Sequence, residues 1–374
     1  MILFYQSLIL SSLLLAVQGN SRIGRGIFFC FTAVILGLYL AMQKPGTSAD
    51  YFNYLEVYNN WFNHYRVYYA THKYEFIFTY IVDFAKEIGS FKSIYFIYGC
   101  INAVFLILAL RIAKRYIDVY ALYALSFCFL GLSANMLSGI RYILVTFIIF
   151  YVFIKLFDIL KKANPSNTRK SILIIVPLLI VTQLSHQTGI FSIITVLSAL
   201  ALSRKPSPLE KIKLPFSHLL WIFFLAFVTI ISMQYAFIKI NDALGLPFSG
   251  YITKIGNMNN ESVGLSTLLS RFLWLGLVCF VTSRLPKKLS VEERFCYYNL
   301  IFFTIFYFFA IYISPLFRLS NMLCLISGFC LFYLVGISRN QKFVTQVITL
   351  ASLGLFTIRA IQGGGEYGYT IDGF

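Results

Sequence analysis

The sequence is poor in charged residues, which occupy only 12% of its 374 positions. A soluble globular domain carries about 25% charged residues. Here 59% of the residues are hydrophobic and the mean hydropathy is +0.77. A water-soluble fold of this length cannot bury so much apolar surface, so lipid must be its solvent. The composition therefore excludes a soluble enzyme, a nucleic-acid-binding protein and a disordered scaffold.

The motifs of several enzyme classes and of metal sites are also missing. The chain has no HExxH motif, P-loop, dinucleotide fingerprint or Ser–His–Asp order. Its 7 cysteines form no CxxC pair and do not cluster with histidine. We interpret them as small buried hydrophobic residues and expect no disulfide, no metal and no cofactor.

Long apolar runs make up most of the chain. Because a bilayer crossing needs about 17–25 residues, we predict about twelve transmembrane helices in one integral membrane domain, 1–374. The predicted crossings lie near 1–18, 26–43, 92–110, 117–133, 140–157, 171–185, 188–203, 217–239, 266–283, 296–314, 319–337 and 343–359. The first run has no basic segment and no cleavage site, so we expect it to be retained. The fold class is an all-α polytopic membrane protein.

Residues 73–90 differ from these runs because they mix charged and apolar positions. Four charged side chains would make them a poor lipid-facing helix, while the apolar residues recur at helical spacing. The charged residues are Glu75, Asp83, Lys86 and Glu87. We predict an interfacial or re-entrant amphipathic helix here rather than a span.

The basic residues give a topology. The formal net charge is +17, and cytoplasmic loops of membrane proteins collect Lys and Arg. If 73–90 does not span, the basic loops at 22–25, 111–115, 155–170, 204–213, 284–294 and 339–342 share one side. That side is then the cytoplasm. Both termini, the segment 44–91 and the loop 240–265 face outward.

Arginines near the outer ends of helices form a candidate anion site. Arg141 and Arg318 each follow a break in apolarity, and Arg271 lies one to two turns into its own helix. Helix N-termini favour anions, and the guanidinium group matches phosphate oxygens bidentately. Snorkelling toward lipid headgroups explains any one of them equally well, whereas three on one side favour a bound phosphate.

A histidine and two carboxylates on the same side are the candidates for proton transfer. His186 occupies a short turn, and a histidine with its ordinary pKa of about 6.5 suits a general base, although a structural hydrogen-bonded role also fits. Asp50 and Glu75 would accept a sugar hydroxyl, act as a base or pair with an arginine. The Tyr-rich stretch 51–69 suits sugar stacking and, equally, an aromatic interfacial belt.

Five short motifs occur in order along residues 44–321. They are Lys44-Pro45-Gly46-Thr47-Ser48-Ala49-Asp50-Tyr51, Tyr74-Glu75-Phe76-Ile77-Phe78, Gly139-Ile140-Arg141-Tyr142, Leu184-Ser185-His186-Gln187-Thr188 and Pro315-Leu316-Phe317-Arg318-Leu319. In order and in their shared side of the membrane they resemble the EpsG-like and Wzy-type polymerases of O-antigen, capsule and exopolysaccharide. Lys44 stands where the family pattern has arginine, and two residues are inserted before the acid.

The resemblance implies a glycosyltransferase of GT-C-like architecture in the bacterial inner membrane, with its active site facing the periplasm. The growing glycan would leave its undecaprenyl-diphosphate carrier and join the non-reducing end of the next lipid-linked repeat unit. Its partners would be these repeat units, membrane lipid, and a chain-length regulator and a flippase of the same pathway. Nucleic acid is not expected.

The same resemblance assigns roles to the candidate residues. Arg141, Arg271 and Arg318 would bind the diphosphate. His186 is the first choice for the base, Glu75 its main rival, and Asp50 a further catalytic candidate. Lys44, Tyr51 and Tyr74 would contact the glycan. No metal is required, because arginine supplies the positive charge.

Other classes remain open at this point. An O-antigen ligase would share the diphosphate chemistry, but usually has a large late outer loop, and 240–265 is only moderate. A lipid-linked oligosaccharide flippase should place charges along a path through the bilayer, whereas here they concentrate at one face. The chain also shows no internal repeat of the transporter kind. A membrane acyltransferase is a further alternative.

Overall fold

The computed structural model describes residues 2–19, 21–43, 45, 50–130, 139–162, 165–204, 265–286, 288–309, 314–337, 344–350 and 352. Within these ranges the regular elements are all helices, which confirms the all-α class. The predicted helix 217–239 and nearly all of the loop 240–265 lie outside the described residues. The total of about twelve membrane helices therefore stays a prediction.

The helices follow the predicted apolar runs closely. In the first part of the chain they are α1 (Ile2–Gln18), α2 (Arg22–Ala41), α3 (Tyr51–Asn59), the short α4 (Arg66–Tyr68), α5 (Phe76–Ile88), α6 (Lys92–Ala113) and α7 (Val119–Tyr123). In the second part they are α8 (Ile140–Lys162), α9 (Pro165–Ser185), α10 (Gly189–Ser203), α11 (Leu265–Ser283), α12 (Val291–Phe309) and α13 (Ser314–Ile337). π-Helical segments at Trp61–Tyr65 and Tyr69–Lys73 flank α4, and a third, Ala124–Phe129, continues α7.

Four of the described helices are long and apolar enough to cross a membrane. They cover Arg22–Ala41, Lys92–Ala113, Ile140–Lys162 and Arg318–Ile337, and so coincide with four of the predicted crossings. Shorter apolar helices cover Leu8–Gln18, Ile172–Ser185, Gly189–Ser203 and Arg271–Ser283. By their length and composition, these helices are consistent with a polytopic membrane protein.

Helices α8 and α13 lie at the centre of the bundle. Both are apolar around most of their circumference, as expected of helices that other helices enclose. Phe153 of α8 stacks on Phe295 of α12 with ring centroids 4.9 Å apart. One turn further along α8, Phe157 meets Phe329 and Tyr333 of α13 edge to face at 5.0 and 4.7 Å. These aromatic layers fix α8 against its neighbours.

Helices α2 and α6 pack backbone to backbone. A Cβ atom added at Gly99 would lie 2.6 Å from the Cα of Gly37, so neither position tolerates a side chain. Small residues at such a crossing allow the close approach that stabilises helix pairs in a membrane. Helix α6 also packs against α8, where the ring centroids of Phe105 and Tyr151 lie 6.3 Å apart.

Charged residues gather at the two ends of α8. These ends lie about 30 Å apart along the helix. At one end, here called the basic end, Lys161 binds Glu292 at 3.0 Å, Arg115 lies 3.8 Å from Asp158, and Arg294 donates to the carbonyl of Ser203. Arg111 donates to the carbonyls of Ala16 and Arg25 there. The described parts of the loops at 22–25, 111–115, 155–170 and 284–294 therefore meet at one end, whereas 205–213 and 339–342 lie outside the described residues. That this end faces the cytoplasm stays a prediction.

The segment between α2 and α6 folds over the other end of α8. The helix predicted within 73–90 is α5, whose 13 residues extend about 20 Å and are too short for a bilayer core of about 30 Å. Its inner face buries Phe78, Ile81, Val82 and Ala85. Gly89 ends it in the left-handed conformation with φ 75°, which glycine adopts without strain.

A candidate active site at one end of the bundle

A backbone reversal at Tyr74 brings Glu75 into the protein. Tyr74 has φ 52° and ψ 30°, a left-handed conformation that costs a residue with a side chain about 1–2 kcal/mol. It connects the π-helical segment Tyr69–Lys73 to α5, and Glu75 then occupies the position just before α5. Glu75 is 1% exposed. Strained backbone next to a buried carboxylate is a typical mark of a functional site.

The carboxylate of Glu75 is paired with Arg141, the second residue of α8. Nη1 of Arg141 donates to Oε2 of Glu75, and Nε donates to the phenol oxygen of Tyr54 at 3.2 Å. The rings of Tyr54, Tyr69 and Phe78 surround the guanidinium, with centroids 5.2, 5.3 and 4.9 Å from its carbon. Cation–π contact, hydrogen bonding and charge pairing thus all hold Arg141 in place.

His186 approaches the other oxygen of the same carboxylate. Its Nε2 lies 3.9 Å from Oε1 of Glu75. The backbone N–H of Thr188 donates to Nδ1 at 3.2 Å, and the Thr188 hydroxyl lies 2.7 Å from the same nitrogen. Because Nδ1 accepts a hydrogen bond, the proton of the neutral ring resides on Nε2 and faces Glu75.

The surroundings keep His186 uncharged. Burial, followed by the positive charges of Arg141, Arg318 and Lys73, lowers the pKa of His186 well below its ordinary value. The ring is therefore neutral at physiological pH. Burial likewise raises the pKa of Tyr54 to about 12, against the opposing effect of Arg141, so Tyr54 stays a protonated phenol beside the guanidinium.

Arg318 and Arg271, the other two predicted arginines, have different surroundings. Arg318 is exposed near the start of α13, one helical turn before Met322, whose sulfur lies 3.9 Å from the Thr188 hydroxyl. It therefore lies on the side of α13 nearest the His186 turn. Arg271 is 7% exposed, and its guanidinium carbon lies 3.4 Å from the ring centroid of Tyr307 on α12. The diphosphate role of each stays a prediction.

The predicted glycan contacts and Asp50 have mixed surroundings. Asp50 is half-buried just before α3, and its charge acts on Tyr54. Tyr51 is buried, with its ring centroid 5.3 Å from that of Phe91, whereas Tyr74 is 61% exposed. Lys44 lies outside the described residues. A sugar has direct access to the Tyr74 ring, but not to that of Tyr51.

Sequence reasoning missed several residues of the cluster. Tyr54, Tyr69 and Phe78, which surround Arg141, were indistinguishable from the many other aromatics of the outer segment. Thr188 and Lys73 gave only a weak signal, since each lies two residues from a quoted candidate. Their roles depend on contacts between segments far apart in the sequence.

The fold and the site together define a helical membrane protein with a buried carboxylate–arginine–histidine cluster at one end of its bundle. A family model described as the EpsG family matches residues 26–370. The chain belongs to the EpsG family, and the family resemblance seen in its motifs is confirmed. No curated protein and no solved structure matches the chain.

Proposed function

We propose that the protein is a polysaccharide polymerase. It would transfer a growing glycan from a polyprenyl-diphosphate carrier, undecaprenyl diphosphate in bacteria, to the non-reducing end of a lipid-linked repeat unit. The EpsG family is one of polymerase-like membrane glycosyltransferases. The observation that carries the proposal is the buried carboxylate of Glu75, which lies between Arg141 and His186 in a chain of this family.

The reaction forms one bond and breaks another at the same carbon. A hydroxyl of the acceptor sugar attacks the anomeric carbon of the donor glycan, and the bond from that carbon to the diphosphate oxygen breaks. The diphosphate leaves with the bonding electrons, and the hydroxyl proton passes to a base. Removal of that proton by a positioned side chain typically contributes about 10²–10⁴-fold.

Glu75 suits the role of base better than His186, which the sequence had favoured. Both hydrogen bonds from Thr188 engage Nδ1 of His186, and its Nε2 already carries a proton. The neutral ring has no nitrogen left to accept another. Glu75 directs one carboxylate oxygen to Arg141 and the other toward His186. Arg141 then holds the carboxylate in place, and His186 lies beside its other oxygen.

Two further classes use related substrates, and one experiment separates all three. The gene is deleted in its host, and the surface glycan is compared with and without a plasmid copy. Loss of a polymerase leaves glycan capped with a single repeat unit, and the wild-type plasmid restores long chains. Loss of a ligase leaves no glycan attached to its final acceptor, and loss of a flippase stops export of the unit. Either of the last two results would contradict the proposal.

The periplasmic orientation of the site belongs to the same proposal. The basic end carries Arg111, Lys114 and Lys161, as cytoplasmic ends do, and the candidate site lies about 30 Å away along α8. No nucleotide sugar is available outside the cytoplasm. A lipid diphosphate as leaving group fits that location.

A further inference from the structure

Lys73 and Arg318 are the two accessible cations beside the candidate site. Arg318 is exposed and Lys73 half-buried, whereas the Arg141 side chain is only 20% exposed. In the described part of the chain, neither Lys73 nor Arg318 forms an ion pair with a carboxylate. Both therefore keep their charge available to a ligand.

Both cations lie close enough to His186 for their charges to act on it. Lys73 precedes the Tyr74 reversal, two residues from Glu75, whose Oε1 lies 3.9 Å from Nε2 of His186. Arg318 lies one turn from Met322, which contacts Thr188 in the His186 turn. The charges of Arg141, Arg318 and Lys73 all reach His186, and Glu75 is the carboxylate beside it. The two cations that are not paired with Glu75 are the more accessible ones.

Arg141 is poorly placed to take a phosphate itself. Glu75 and Tyr54 use its Nη1 and Nε, and three aromatic rings enclose the guanidinium. A phosphate reaching Arg141 would compete with a buried carboxylate for the same charge and would approach that carboxylate closely. Like charges at such a distance repel strongly in a buried site.

We propose that Lys73 and Arg318 form the phosphate-binding pair of the site, while Arg141 is paired with Glu75 and holds its carboxylate in place. The ligand class is a diphosphate attached to an isoprenoid lipid, and the inference rests on the proposed polymerase function. Two cations from different segments, the π-helical Tyr69–Lys73 and α13, would each take oxygens of one diphosphate. Lys73 was not among the residues that the sequence indicated.

The test is binding of farnesyl diphosphate to the full-length protein in phosphatidylcholine nanodiscs, measured by calorimetry. Lys73→Gln and Arg318→Gln should each weaken binding about tenfold or more, because each removes a charge-assisted hydrogen bond. Lys73→Arg should stay within about threefold of the wild type, because arginine keeps the charge and donates to phosphate oxygens. Lys86→Gln is the matched control: Lys86 belongs to the same outer segment, 4.1 Å from the Tyr58 ring, and its loss should leave the affinity unchanged.

Unchanged affinity in both Gln variants would overturn the inference about Lys73 and Arg318. If the same wild-type preparation then extends chains, the proposed polymerase function stands without that inference. A wild-type protein that neither binds farnesyl diphosphate nor extends chains would refute both. Phosphatidylglycerol nanodiscs distinguish a second source of phosphate. If that lipid abolishes farnesyl diphosphate binding even at a salt concentration that screens the charge of the bilayer surface, the pair holds a phospholipid headgroup and the inference is wrong.

Discussion

The Arg141–Glu75 ion pair should be far more important for stability than the ion pair at the other end of the same helix. Arg141→Met leaves the carboxylate of Glu75, which is 1% exposed, buried without its partner. Breaking a buried pair from one side typically costs about 3–5 kcal/mol. The same change also removes the cation–π contacts with three rings, which Met replaces only in part. We expect a loss of about 3–5 kcal/mol in the free energy of unfolding.

The reverse substitution should cost less. Glu75→Gln leaves a cation whose side chain is 20% exposed and which keeps its three aromatic rings and the Tyr54 hydrogen bond. We expect a loss of about 1–3 kcal/mol. The double variant Arg141→Met/Glu75→Gln removes both charges, so it should be more stable than Arg141→Met alone, which requires a coupling energy larger than the cost of Glu75→Gln by itself.

Titration with SDS in mixed micelles measures these free energies, and the pair at the basic end supplies the control. Lys161 and Glu292 are 40% and 14% exposed and lie 3.0 Å apart, so Lys161→Met should cost about 1 kcal/mol or less. Equal losses for Arg141→Met and Lys161→Met, or a double variant less stable than Arg141→Met, would refute the reasoning.

Three further predictions concern the His186 turn and the topology. Thr188→Val removes the hydroxyl at Nδ1 of His186 but keeps the backbone N–H, so chain extension should slow about 5–20-fold. Thr188→Ser keeps a hydroxyl and should retain the wild-type rate of extension. Equal rates in the Val and Ser variants would exclude a role for the hydroxyl contact with His186. Folding lowers the pKa of His186, so at low pH the unfolded chain binds a proton that the folded chain does not. The free energy of unfolding is therefore unaffected by His186 above about pH 6.5 and falls as the pH is lowered further. His186→Gln should therefore reduce the loss of unfolding free energy between pH 7.5 and 5.0, and an unchanged loss would contradict the assignment. Asn53→Cys should react with an impermeant maleimide in intact cells and Ser166→Cys should not; the opposite labelling would invert the topology.

Hydrophobic patterning predicted the fold where one physical effect dominates. The apolar runs at 92–110 and 140–157 became helices because a bilayer leaves the backbone no other way to satisfy its hydrogen bonds. The amphipathic period of 73–90 likewise predicted α5. Tyr74 lies at the limit of this reasoning: a left-handed tyrosine has no sequence signal, since only the packing around Glu75 stabilises it.

The sequence indicated candidate residues one by one, but not which of them lie together. Arg141 and His186 were identified from charge at helix ends and Glu75 as a carboxylate of the outer segment, and the structure brings these three together. The pairing of Arg141 with the carboxylate joins α8 to Glu75, the residue just before α5, and these two residues are 66 positions apart in the sequence. The tautomer of His186 depends on the turn geometry at Thr188. Arg271 shared the same sequence signal, yet its guanidinium lies against Tyr307.

The central claim is that the carboxylate of Glu75 removes the proton from the acceptor hydroxyl. Its most direct test is single-turnover chain extension by the purified protein in proteoliposomes with lipid-linked repeat units. Glu75→Gln should slow extension about 10²–10⁴-fold at saturating substrate, and His186→Gln, which keeps a donor near the carboxylate, should slow it much less. Near-wild-type extension by Glu75→Gln, together with a severe loss in His186→Gln, would contradict the account and make the histidine the base.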